Sequence, residues 1–178
     1  MMKRIIYIVP LGQIDPVILE GIRNGASLAF GFPVEILPVT TNPNYAYEPR
    51  RQQYYSTKIL EELIKIFPSD TEKIIGVTEV DLATPVLTFV FGEAQLRGTT
   101  AVISLARLRQ EFYQLLPNHK LLLCRAVKEA IHELGHTFGL LHCEDCECVM
   151  YFSSNITGID CKYLNFCSNC LAVLYKSH

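Results

Sequence analysis

With 178 residues, 49% of them hydrophobic and 19% charged, the chain can bury a substantial core and is too apolar to be disordered. A net charge of −2 and a pI near 6.2 give no general attraction to nucleic acid or anionic membrane. No apolar run approaches the roughly 18 residues that read as a membrane span.

Residues 3–9 (Lys-Arg-Ile-Ile-Tyr-Ile-Val) begin basic and turn apolar, but Pro10-Leu11-Gly12-Gln13 ends the run with no small-residue cleavage site. The segment reads as a buried strand and the protein as cytoplasmic. Asp15-Pro16 sets a cap followed by an N-terminal Pro, predicting a helix to about Phe30, before Gly31. Residues 34–39 predict a second strand, and residues 41–49, with two Pro and two Asn, a loop. In residues 50–67, Tyr54, Ile59, Leu60, Leu63, Ile64 and Phe67 form a helical stripe, with Arg50-Arg51 at its start. Residues 73–80, 86–91 and 99–105 predict three more strands. Strands alternating with helices over short connections imply a mixed sheet in an α/β or α+β domain. One domain is expected over residues 1–178: a scaffold (1–117), a helix (118–139) and a Cys-rich segment (140–178).

That helix follows Pro117 and the cap candidate Asn118. Leu123, Val127, Ala130, Ile131, Leu134 and Phe138 make one apolar stripe, while Glu129, His132, Glu133 and His136 recur on the other side, facing away from the core. Residues 132–142 read His-Glu-Leu-Gly-His-Thr-Phe-Gly-Leu-Leu-His. Side chains four apart lie one helical turn up on the same face, so His132 and His136 can present two imidazoles to one metal ion. Glu133 beside them can take a proton from a metal-bound water. Gly139 can adopt the left-handed conformation that ends a helix, which lets His142 return to the same ion. Three nitrogen ligands with one open position make a catalytic zinc site, whereas structural sites are closed by four protein ligands. A bare His-Glu-x-x-His also occurs in helices that bind nothing, and the Gly and third His are what distinguish this one. His119 and His178 have no such partners and read as surface residues.

Seven cysteines are present, six of them in the last 36 residues: Cys143, Cys146, Cys148, Cys161, Cys167 and Cys170. Cys167-Ser-Asn-Cys170 is a two-residue-spaced pair, and either Cys143 with Cys148 or Cys143 with Cys146 supplies a second, a zinc-site pattern. The odd count and tight spacing argue against disulfides. Cys124, alone in an apolar helical stretch, reads as a core residue. Met150, eight residues after His142, is placed to form an apolar floor beneath the imidazoles.

Together these residues resemble the archaemetzincins, whose pattern runs His-Glu-x-x-His-x-x-Gly-x-x-His-Cys, four residues, Cys-x-Met, about seventeen residues, then Cys-x-x-Cys. It is matched by His132, Glu133, His136, Gly139, His142, Cys143, Cys148, Met150, Cys167 and Cys170, with 16 residues between Met150 and Cys167. The resemblance implies a metzincin-like α/β (α+β) fold, a mixed twisted sheet packed with helices that include the zinc helix. It implies two zinc ions: a catalytic one on His132, His136 and His142, and a structural one on Cys143, Cys148, Cys167 and Cys170. Met150 becomes the Met-turn residue, and Cys146 and Cys161 are extras. Metzincins run an edge strand along the cleft, and residues 99–105 are the segment expected to do so. The expected activity is peptide-bond hydrolysis with Glu133 as general base, by a monomer acting on peptide or protein without nucleic-acid or membrane partners. A non-catalytic zinc-binding interaction domain and a zinc hydrolase of a non-peptide amide are the alternatives. The retained Glu133 argues against the first of these.

Overall fold

A computed structural model describes residues 4–66 and 68–176 of the chain. Lys3, Phe67 and His178, used in the readings above, lie outside the described residues. Strand β1 (Ile5–Leu11) is the buried apolar run, and helix α1 (Pro16–Phe30) starts where the Asp15 carboxylate accepts the Val17 N–H at 2.9 Å. Strand β2 (Val34–Ile36) is shorter than expected, because the register slips at Pro38. Leu37 N–H donates to Ile8 O, but the next bond to β1 comes only from Thr40, to Pro10 O at 2.9 Å. Then follow β3 (Tyr47–Glu48), β4 (Gln53–Tyr55), α2 (Ser56–Leu63), β5 (Thr71–Thr78), β6 (Leu82–Ala83), β7 (Gly92–Ala94) and β8 (Thr100–Ser104). The last third holds α3 (His119–Thr137), α4 (Ile156–Cys161) and α5 (Ser168–Lys176).

The main sheet has the order β2-β1-β5-β8-β7, parallel except for β7, which runs antiparallel to β8. Successive side chains of a strand point to opposite faces. Ile6, Ile8, Ile75, Val77, Ala101 and Ile103 therefore share one core with α1 and α3, while Tyr7, Val9, Ile74 and Val102 meet Ile59, Leu60 and Leu63 of α2 on the other side. A second, small sheet has the order β3-β4-β6.

Three expectations are corrected. The helix expected over 50–67 begins only at Ser56, since Arg50 and Arg51 stand in a turn and residues 53–55 pair with both β3 and β6. Residues 86–91 form a loop rather than a strand, touching the small sheet through one bridge, Val90 to Leu82. The strand comes after it, as Gly-Glu-Ala in β7, a sequence of low strand propensity that no pattern marks. Residues 100–104 do form a strand, but β8 is buried along its length and paired on both sides, Ala101 with Ile75 and Val102 with Glu93. It cannot be an open edge. The edge is β7.

Candidate metal centres and cleft

Helix α3 opens at Asn118, whose Oδ1 accepts the Leu121 N–H at 3.0 Å, satisfying one of the unpaired donors of the first turn. Its polar face, expected to point away from the core, is covered by other parts of the chain. Glu129, His132 and Glu133 are all buried: Val149 and Lys162, from the segments before and after α4, lie against His132 and Glu129, and β7 passes over Glu133. Arg125 holds Asp160 through two bonds of 2.7 Å, and Lys128 donates to Ile159 O and Asp160 O at 2.9 and 3.0 Å, covering carbonyls at the end of α4.

His132 and His136 lie one turn apart with their Nε2 atoms 3.1 Å from one another. His132 Nδ1–H donates to Val149 O at 2.8 Å, and His136 Nδ1–H donates to Leu140 O at 2.7 Å. A carbonyl oxygen can only accept, so both rings carry their proton on Nδ1 and turn an Nε2 lone pair toward the other. Burial, first of all, pulls the pKa of His132 well below its ordinary value; it also lowers those of His136 and His142, which keeps the rings neutral. Two facing lone pairs repel unless a cation lies between them. Nitrogens bound tetrahedrally at about 2.0–2.1 Å would stand roughly 3.3 Å apart, close to what is found. Gly139, at φ +93°, turns the chain after α3 and brings His142 in, so that one ring nitrogen of each of the three histidines lies within 4.8 Å of the others. These residues fit a metal ion.

Glu133 sits beneath β7, where a Cβ at Gly92 would come within 2.6 Å of Glu133 Cγ, so the strand passes this close only without a side chain. Burial, and then the neighbouring Glu129, push the Glu133 carboxyl well above the usual carboxylate range. Glu129, one turn earlier, is also raised by burial, and Lys162 opposes that rise. The Lys162 ammonium is 3.5 Å from Glu129 Oε2 and 3.4 Å from both His132 Nδ1 and Tyr151 O, with its side chain wholly buried. The cleft above has a volume of about 700 Å³. Residues 84–94 form one wall and the α3 residues Glu129, His132, Glu133 and His136 the other, with His142 and Phe152 at the end.

Sγ atoms of Cys143, Cys148, Cys167 and Cys170 cluster in the same way, within 4.8 Å of one another. Cys143 and Cys167 are 3.6 Å apart, far beyond a disulfide and near the roughly 3.8 Å edge of a tetrahedron built on 2.3 Å zinc–sulfur bonds. All seven cysteines are free. Burial pushes the Cys143 and Cys170 thiols up, while the Cys170 backbone N–H aimed at Cys167 pulls that thiol down. Four thiols this close can shed their protons together only around a cation. Cys146 and Cys161 are exposed and outside the cluster, and Cys124 is half-buried rather than a core residue. His119 is exposed, as expected.

Residues 148–151 link the two clusters. Cys148 contributes its sulfur, Val149 O receives His132, Met150 O receives the Cys143 N–H at 2.9 Å, and Tyr151 O faces Lys162. Met150 is wholly buried, its sulfur so close to α3 that a Cβ at Gly135 would lie 2.5 Å from it. The close approaches at Gly135 and Gly92 and the buried Lys162 were missed in the sequence. Gly135 sits at a variable position of the histidine motif, and Lys162 follows a cysteine that the pattern leaves over.

The model of Peptidase family M54 matches residues 29–176. The archaemetzincin of Methanocaldococcus jannaschii is 48% identical, over 95% of this chain and 92% of its own length. The crystal structure of archaemetzincin from Methanopyrus kandleri superposes with a TM-score of 0.87 at 36% identity, covering 98% of this chain and 95% of that one. That of a zinc-dependent peptidase from Methanocorpusculum labreanum gives 0.86 at 31% identity, covering 95% and 99%. The mixed sheet, the histidine-bearing helix and this likeness along nearly the whole chain agree: it belongs to Peptidase family M54, the archaemetzincins, and is a zinc metallopeptidase.

Proposed function

We propose that the chain hydrolyses peptide bonds with His132, His136 and His142 holding a catalytic zinc and Glu133 as general base, and that Cys143, Cys148, Cys167 and Cys170 hold a second, structural zinc. The observation that carries this is the pair of Nε2 lone pairs facing each other at 3.1 Å, each ring locked by a carbonyl on its other nitrogen. When bound there, zinc polarises the scissile carbonyl and lowers the pKa of a water toward about 7. Glu133 holds the attacking water, takes its proton and returns it to the leaving nitrogen. A carboxyl raised by burial suits both tasks, since its pKa moves toward the working pH. Met150 packs under α3 and keeps the helix turn that carries both imidazoles in place. The thiolate zinc staples residues 143–170, tying together a segment of loops and one short helix whose Val149, Met150, Ile159 and Phe166 pack into the main core.

The substrate strand follows from the corrected edge. Phe91 O and Gln95 N–H bond to β8, so by antiparallel alternation the N–H and C=O groups of Gly92 and Ala94 face outward. A peptide added along β7 would lie over Glu133 with its main chain bonded and its side chains free to vary. On this reading residues 1–178 act as one domain and as a monomer in the cytoplasm. The unpaired cysteines fit a reducing compartment, and the near-neutral charge offers nothing to nucleic acid or membrane. Among the described residues no helix is long and apolar enough to cross a membrane.

The test is a zinc count together with a peptide-library cleavage profile of wild type and Glu133→Gln. Two zinc ions in both proteins, with turnover lower by about 10²–10⁴ in the variant, are expected. Unchanged hydrolysis would remove Glu133 from the mechanism, and a single zinc would remove the second site.

A further inference from the structure

The wall of the cleft formed by residues 84–91 is irregular loop, yet its outer side is bolted down by residues from elsewhere in the chain. Arg51 reaches across from the turn before β4. Its guanidinium donates to Thr84 O at 2.6 Å, Leu87 O at 2.7 Å and Thr88 O at 3.0 Å. Gln53 Nε2 adds a second bond to Thr88 O at 3.0 Å and one to Asp81 at 2.9 Å. Asp81 in turn holds Arg107 through bonds of 2.6 and 2.8 Å, and the Arg107 guanidinium covers the Phe89 ring at 4.2 Å. Three loop carbonyls and one loop ring are thus fixed from the side away from substrate. The inner side presents Val86, Leu87, Phe89 and Phe91 to the cleft, which Phe152 also lines, with no lysine or arginine among the lining residues. Val86 is 88% exposed, an apolar group that an unliganded protein gains nothing by displaying.

We propose that Arg51 is a positioning residue for substrate selection: it holds the 84–91 loop as a preformed apolar wall that receives a large apolar side chain of the peptide beside the scissile bond. This rests on the cleft being the peptide site. Arg suits the task because its planar fork delivers several donors in fixed geometry, where lysine offers a single charged point on a flexible stem. A wall already in place spares the peptide the cost of ordering the loop on binding. Arg51 touches no reacting atom, so its effect falls on KM and on side-chain preference, and leaves kcat alone.

The test compares zinc-loaded wild type, Arg51→Ala and Arg51→Lys on a peptide library. For peptides with Leu or Phe beside the cleaved bond, Arg51→Ala raises KM about tenfold, the scale of one lost charge-assisted hydrogen bond, with kcat within about twofold. Its preference for those peptides over Ala-containing ones flattens, and Arg51→Lys recovers part of both. Zinc content stays unchanged. Chymotrypsin should nick Arg51→Ala between Leu87 and Phe91 faster than wild type. An equal loss for all peptides, or a loss in kcat with KM unmoved, would overturn the proposal. Should wild type cleave no peptide, the peptide-site reading fails on its own. Unchanged nicking of Arg51→Ala overturns the bracket in either case.

Discussion

Replacing Lys162 with Met should cost this enzyme a large part of its stability while leaving all seven metal-ligating side chains of the two clusters in the chain. The Lys162 side chain is 0% exposed, and that of Glu129, 3.5 Å away, is 5% exposed. At an effective dielectric of about 20, unit charges at that separation attract by roughly 5 kcal/mol, most of which offsets the cost of burying both. Met fills nearly the same volume but leaves the Glu129 carboxylate buried beside Glu133 with no counter-charge. Breaking such a pair from one side costs about 3–5 kcal/mol, or roughly 6–20 °C in melting temperature for a chain of this size. The deficit should widen with pH. Burial already holds Glu129 above the ordinary carboxylate range, and Lys162 is what opposes that rise, so the variant's folded pKa climbs further. A group whose folded pKa exceeds its unfolded one contributes stability at low pH and loses it as pH rises through the folded value. Urea unfolding of zinc-replete protein between about pH 5 and 8 measures both effects, and Glu129→Gln/Lys162→Met should regain most of the loss. A penalty below about 1 kcal/mol for Lys162→Met, or a double variant no better than the single one, would refute the reasoning.

Ala94→Pro removes an outward N–H of β7 without breaking the ladder to β8, so KM for peptides should rise several-fold while thermal stability holds. Unaltered kinetics would exclude β7 as the substrate edge. Cys148→Ser should retain one zinc per chain and destabilise residues 143–170, whereas Cys146→Ser and Cys161→Ser should keep two; elemental analysis decides. A chelator should abolish peptide cleavage before the circular dichroism of the C-terminal helices changes, because a three-nitrogen site with an open position releases zinc more readily than a closed thiolate one.

Short-range features could be read directly. The i and i+4 imidazoles, the glycine that turns His142 back and the Cys-x-x-Cys pair are all set by spacings of a few residues, which one helical turn or one loop converts into geometry. The β1 run and the Asp15 and Asn118 caps were readable for the same reason: each depends on its immediate neighbours. The clustering of Cys143 and Cys148, rather than Cys146, with Cys167 and Cys170 was named by family pattern, since spacing alone allowed both choices.

What the sequence by itself determined is therefore the chemistry: which side chains can meet at a metal, and that a mixed sheet would carry them. Tertiary structure decided where substrate has access. Gly92–Ala94 becomes a strand only because β8 lies beside it, and β8 is closed as an edge only because β5 takes its other side. Glu129 and Lys162 are 33 positions apart in the chain, and Arg51 is 33 or more from each carbonyl it holds. A charged side chain gives no local sign that it will be buried, because its burial depends on a partner that arrives only when distant segments pack. Periodicity can assign a residue to a face of its own element; it cannot tell what will later cover that face.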